Sequence, residues 1–205
     1  MRILGRATSI NVQKTVWMCA ELGLAIERVD VGGSFGGNDQ PEFLAKNPNG
    51  LVPVLEDGDF VLWESHSIVR YLAETQGGEP WYPKDVRRRA LANQWMDWTL
   101  ATLIPTFNPM FLQLIRTPPE KRDNAFVARQ KTASERLFRI LDAQLAKSAF
   151  VIGDQPTMAD IPLGAAVYRW LHLPIERPAL THVQNYFKRL SERPAYRQHV
   201  MLPLT

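Results

Sequence analysis

The feature that most constrains this sequence is the point at which strand-like patterning stops. Up to about Gly78, short extended runs alternate with helical periodicities; beyond it, the apolar patterns have helical spacing. That division predicts two packed units of different class, an α/β unit followed by a helical bundle. In the first unit, MRILGRA (1–7) reads as a strand, after which Val12, Val16, Cys19, Ala20 and Gly23 recur on one helix face. Residues 25–31 (AIERVDV) alternate as a second strand. The glycine-rich 32–39 is a loop, and 40–47 is a short helix ended by Asn47-Pro48. Leu51–Glu56 and Phe60–Glu64 flank Asp57-Gly58-Asp59, a hairpin signal. Ser65 is the expected N-cap of a helix carrying Ile68, Val69, Leu72 and Ala73 inward. The order is β-α-β-α-β-β-α over residues 1–77, with 78–83 as a linker and 84–205 as an all-helical unit.

The helical unit opens with a helix over Asp85–Leu103 that carries Trp95, Met96 and Trp98. The stretch 104–119 contains four prolines and breaks the pattern. Glu120–Lys147 then shows Phe126, Ala133, Leu137, Ile140, Leu141 and Leu145 at helical spacing. Thr157 and Asp160, three apart before an apolar run, form a variant capping box, with a central, almost wholly apolar helix over Met158–Leu171. Val183, Tyr186, Phe187 and Leu190 mark one more amphipathic helix, stopped before Pro194.

The 24 basic and 21 acidic residues leave a net charge of +3, too small to imply a nucleic-acid partner. Arg87, Arg88 and Arg89 read as the solvated or interface edge of a helix. One cysteine excludes an internal disulfide framework and a multi-cysteine metal site, and the four histidines lack metal-ligand spacing, so no metal is expected. No apolar run approaches the ~18 residues that span a membrane, and residues 1–20 lack a signal-peptide core. The expectation is a cytosolic chain with no membrane partner.

Pro53 is out of place in the hairpin. Its ring removes a ladder N–H, which strands tolerate only at an edge. At this point the residues resemble the cytosolic glutathione transferases. The resemblance rests on TSINVQK (8–14), PEFLAKNPNGLVPVLEDGDFVLWES (41–65), SIVRYLAE (67–74), VIGDQPTMADI (151–161) and RLSERPAY (189–196), in the family's order and spacing. It covers the whole chain and implies a thioredoxin-like first domain, an all-helical second domain and a homodimer. It also implies that the bond before Pro53 is cis, so that the Val52 N–H and C=O face outward and pair, strand-like, with the cysteine backbone of glutathione.

Further residue roles follow from the same resemblance. The Ser-Ile-Asn-Val signature is similar to that of the serine-type classes, phi above all, in which the serine donates to the glutathione thiolate. Ser9 ranks first, Asn11 second and Thr8 third for that role; a plain helix cap also explains a hydroxyl at Ser9 or Thr8. Glu64 and Ser65 match the pair that receives the γ-glutamyl ammonium and carboxylate. The chain departs from related members at the glycine-carboxylate end, with Asn38, Asp39 and Leu51; Lys46 or Asn49 are the candidates to compensate. Trp98, Phe107, Met110 and Phe111 are candidates for an electrophile pocket between the domains, with core packing as the alternative. His66 and Cys19 read as structural, and Thr157 and Asp160 as the start of the central helix.

The expected function is conjugation of glutathione, a co-substrate, to a hydrophobic electrophile. Peroxidase, dehalogenase or isomerase chemistry on the same scaffold, or non-catalytic ligand carriage, are the alternatives. The expected dimer contact involves the helix bearing Arg70 and the helix start near Arg87–Arg89.

Overall fold

The computed structural model describes residues 1–205. Its first unit is a four-stranded sheet with helices on both faces. Strand β1 (Arg2–Leu4) leads into α1 (Ile10–Glu21), β2 (Glu27–Val29), the short α2 (Pro41–Leu44), β3 (Val54–Asp57), β4 (Phe60–Trp63) and α3 (Ser65–Leu72). The spatial order is β2-β1-β3-β4, with β1 parallel to β2 and the other neighbours antiparallel. The two-residue side-chain period sorts the central strands between faces. The paired Ile3 and Leu55 enter the main core, whereas the paired Leu4 and Val54 close on Phe43 of α2.

The helical unit contains α4 (Val86–Trp98), α5 (Ile104–Phe111), α6 (Asn124–Leu145), α7 (Asp160–His172), α8 (Thr181–Ser191) and α9 (Pro194–His199). Asp85 starts α4 by accepting from the Arg88 N–H at 2.8 Å, and Asp123 starts α6 through the Phe126 N–H at 2.8 Å. The expected break after Leu103 is not found. Wide i→i+5 turns at Thr99–Leu103 and Leu112–Arg116 flank α5, and the backbone stays helical from Val86 to Arg116. Pro105 and Pro109 both lie inside this helical path, and the wide turns on either side of α5 make room for the rings and for the missing N–H bonds. The sequence patterns also place the start of α6 four residues early and leave α9 unrecognised.

The central α7 is anchored as the Thr157–Asp160 pair predicts. Buried Asp160 accepts from the Thr157 N–H (2.8 Å), the Thr157 hydroxyl (3.3 Å), the Val151 N–H (3.1 Å) and the Tyr186 hydroxyl (3.0 Å). The two units share one apolar core of 42 buried residues. Helix α1 runs through its middle, with Trp17 fully buried and edge-on to Tyr196 at 4.8 Å. A Cβ on Gly164 of α7 would come within 2.8 Å of both Leu190 and the Trp17 ring, so a side chain there would part the helices. Glu21 closes the same contact, accepting from Trp17 Nε1 at 2.8 Å and Arg193 Nε at 2.7 Å. No helix is long and apolar enough to cross a membrane.

Candidate active site

Between β1 and α1 the chain turns under Val52. A Cβ on Gly5, at φ +151°, would meet Val12 Cγ2 at 2.4 Å and Val52 Cβ at 3.0 Å, so glycine is what allows this close turn. Ser9 follows as the N-cap of α1, with extended backbone, and its hydroxyl makes no bond to the helix amides. The first helical bond runs from the Gln13 N–H to the Ser9 C=O at 2.8 Å, which leaves the Ile10, Asn11 and Val12 N–H groups at the positive helix end. The hydroxyl is therefore not spent on capping.

The Val52–Pro53 bond is cis. Neither the N–H nor the C=O of Val52 is bonded to another protein group, and β3 begins only at Val54. This is an open backbone edge beside Ser9. The next turn holds Glu64 at φ +72° and ψ 110°, the one non-glycine residue with positive φ. A side chain held in so sparsely populated a region points to a constraint beyond folding. Ser65 is not the N-cap: that position belongs to Glu64, and Ser65 opens α3 as its first helical residue, 4% exposed. The first amide of this helix end with a main-chain partner is that of Ile68, bonded to the Glu64 C=O at 2.9 Å.

Beneath these groups lies a buried polar cluster that sequence patterns did not reveal. Lys14 is 1% exposed, and its ammonium donates to Asn11 Oδ1 at 3.0 Å and lies 3.1 Å from His66 Nε2. Burial, then repulsion by Arg169, lowers the Lys14 pKa to about 7, with Glu64 acting the other way. His66 is pushed down to about 2, first by burial and then by Lys14 and Arg70, so it stays neutral and accepts. Asn11 thus has its amide oxygen committed to Lys14 and its NH2 left to donate.

A cleft of about 290 Å³ opens at Ser9 and Asn11. Leu51 and Val52 form its hairpin side; Asn108 and Leu112 of the long helical path face them. Ile10, Arg6, Arg116 and Arg169 complete the lining. A larger hollow of about 610 Å³, between the end of α1 and Arg189–Ala195, contains none of the candidate site residues. The electrophile-pocket expectation needs correcting here. Phe107, Met110 and Phe111 are sealed in the core, at most 1% exposed, and half-buried Trp98 packs edge-on to Trp95 at 5.1 Å. The helical path turns their faces inward and presents Asn108 and Leu112 to the cleft instead.

At the far end of the hairpin, Lys46 is paired with Glu56 at 2.6 Å, and Asn49 Nδ2 donates to Asn47 Oδ1 at 3.0 Å. Asn38 Nδ2 donates to the Gly50 C=O at 2.8 Å, and Leu51 is 63% exposed. The two compensating candidates are therefore both engaged locally. Cys19 is buried, and burial raises its thiol to about 12, as suits a core residue.

Comparison with known proteins agrees with this architecture. The glutathione S-transferase N-terminal domain model matches residues 4–80, and the C-terminal domain model residues 91–194. The chain belongs to the glutathione S-transferase family. It is 39% identical over 203 residues to glutathione S-transferase GstB of Escherichia coli, covering 98% of each chain. It is 30% identical over 207 residues to glutathione S-transferase F10 of Arabidopsis thaliana, covering 91% of this chain and 90% of that one. The theta class glutathione S-transferase of Xanthomonas axonopodis pv. citri, solved with glutathione bound, superposes with a TM-score of 0.96 at 46% identity, over 100% of this chain and 98% of that one. The transferase fold accounts for the sheet domain and the helical partner domain together, and the open Val52 edge faces a cleft walled in part by the second domain.

Proposed function

We propose that this protein is a glutathione transferase in which Ser9 stabilises the glutathione thiolate for attack on an electrophile held in the cleft beside it. The observation that carries this reading is the uncommitted Ser9 hydroxyl, at the positive end of α1 and on the cleft shared with Val52. In this reading the tripeptide lies along the Val52 edge and adds a short strand. Glu64 takes its α-ammonium, and Ser65 with the first amides of α3 takes its α-carboxylate. A free thiol with a pKa near ~8.5 is a few per cent ionised at neutral pH, and lowering it by two units takes about 2.7 kcal/mol. A hydroxyl donating to an anion contributes about 1.5–3 kcal/mol, and a helix N-terminus about 0.3–1 kcal/mol. These two cover the requirement, and the Asn11 amide stands beside them as a second donor. The thiolate then forms the S–C bond while the leaving group departs with its electron pair.

Ser9→Ala tests the assignment, with an aryl halide and an organic hydroperoxide as alternative co-substrates. The expected result is at least a tenfold loss of turnover at neutral pH and an upward move of the apparent thiol pKa. Unchanged rate and pKa would reduce Ser9 to a structural residue and transfer the role to Asn11.

The same reading includes a cytosolic homodimer. Phe60, Val61 and Trp63 on β4 and Leu91 and Leu100 on the long helical path leave apolar surface exposed, beside Arg70, which is bonded to Asn93 and Asp97. Sedimentation at micromolar concentration should give about twice the 23.4 kDa chain mass; a single monomeric species rejects the dimer.

A further inference from the structure

Resting on that transferase reading, we infer that the cleft selects electrophiles bearing an anionic group, recognised by Arg6, Arg116 and Arg169. The three guanidinium groups come from separate parts of the chain: the β1–α1 turn, the wide turn after α5, and α7. All three line the cleft with Ser9, and Arg6 and Arg116 also line the adjoining hollow of about 290 Å³. None of them is paired with an aspartate or glutamate, although eight such ion pairs form elsewhere in the chain, and neither hollow is lined by an aspartate or glutamate, the second being closed by Thr205.

Arg169 is the least expected of the three. It is 4% exposed, the one charged residue between Ile161 and Leu171 of α7, lies 4.1 Å over the Phe111 ring, and donates from Nη2 to the Thr8 C=O at 3.1 Å, while its Nε has no partner. A buried cation without a carboxylate partner is costly to the fold, and the neighbouring arginines add to that cost. Burial first, then Arg116 and Arg6, lower its pKa to about 9. Arg116 donates from Nε to a main-chain oxygen of Thr205, the last residue of the sequence, at 3.1 Å, which engages one of its nitrogens and leaves the others free of side-chain carboxylates. A planar carboxylate or a phosphate is the kind of ligand whose charge and acceptor geometry suit guanidinium donors lining one cleft.

Glutathione also carries carboxylates, but its proposed contacts run along the hairpin edge through Val52, Glu64 and Ser65. Arg116 and Arg169 stand on the helical wall across from that edge, the side left for the second substrate. For an aryl chloride, the thiolate sulfur bonds to the ring carbon and chloride leaves with the bonding pair. The thiol proton goes to solvent and no oxidant is needed.

The test pairs a binding arm with a turnover arm. The unreactive 3-nitrobenzoate and 3-nitrobenzamide are titrated into the glutathione-saturated protein. Turnover of 4-chloro-3-nitrobenzoate and its amide is measured relative to their spontaneous reactions with glutathione. The benzoates are expected to be favoured at least tenfold in both arms. The preference should fall to less than twofold in the Arg6→Gln/Arg116→Gln variant and shrink with added salt, while the KM for glutathione moves less than twofold. Equal binding of benzoate and benzamide overturns the inference whatever the turnover, as does a variant that weakens both probes equally. A binding preference without turnover of either chloride supports the anion site and refutes the transferase reading. A rise confined to the KM for glutathione assigns the arginines to the tripeptide and overturns the inference.

Discussion

Replacing Lys14 by Met probes the buried cation under the site. In the folded chain the ammonium pKa falls from 10.5 to about 7, chiefly through burial. Below pH 7 both folded and unfolded chains carry the proton, and the burial penalty is present in full. Between pH 7 and 10.5 the unfolded chain still holds a proton that the folded chain has released, so stability rises with pH through that window. Each pH unit of that window is worth about 1.4 kcal/mol, so the whole penalty is of order 3–5 kcal/mol. The Met side chain fills a similar volume, and the lost bonds to Asn11 and His66 form a pH-independent offset, because His66 remains neutral throughout the window.

The informative quantity is therefore the difference in unfolding free energy between Lys14→Met and the parent, measured by urea titration with tryptophan fluorescence from pH 7 to 9.5. The six tryptophans report the transition in both proteins. Other titrating groups, including Cys19, are present in both and cancel in the difference. The variant's advantage should be largest at pH 7 and shrink by roughly 3 kcal/mol by pH 9.5. A difference that stays flat across the range would mean that the ammonium keeps its ordinary pKa, and the account of the buried cluster would be refuted.

Two further substitutions test the geometry around the site. Glu64→Gly should be about 1 kcal/mol more stable than Glu64→Ala, because only glycine accepts φ +72° freely, while both lose glutathione affinity at least tenfold; equal stabilities by thermal denaturation would remove the strain argument. Gly164→Ala should cost about 1–3 kcal/mol, since its Cβ must displace Leu190 and Trp17, each 2.8 Å away; an unchanged melting temperature would show that α1 and α7 pack more loosely than described.

What sequence made legible was what depends on residues a few positions apart. The strand and helix order of the first unit follows from short-range alternation and from Asp57-Gly58, and the structure reproduces it. The Thr157–Asp160 anchor was readable for the same reason, being a contact between residues three apart. The misreadings come from longer couplings. Pro105 and Pro109 looked like breaks because a proline's cost is assessed against an ideal helix, and the wide turns that absorb it leave no local mark. Phe107, Met110 and Phe111 looked suited to a pocket by composition, but which face of a helix meets a cleft is decided by the element packed across from it.

The cleft carries that argument furthest. Its walls join residues 6–11, 51–52, 108–116 and 169, and no pattern within one segment announces that they meet. One signal was present. In the run IPLGAAVYRWL (161–171), a single arginine interrupts ten uncharged residues on a helix predicted to be central. A buried guanidinium needs acceptors, so such a residue shows that something polar must face it. It does not show where. The Thr8 C=O, 161 positions away, accounts for one of its nitrogens, its buried Nε has no partner, and the residue lines the cleft with Arg6 and Arg116. The charge was readable from the sequence; its address became readable only once α1 and α7 were packed against each other.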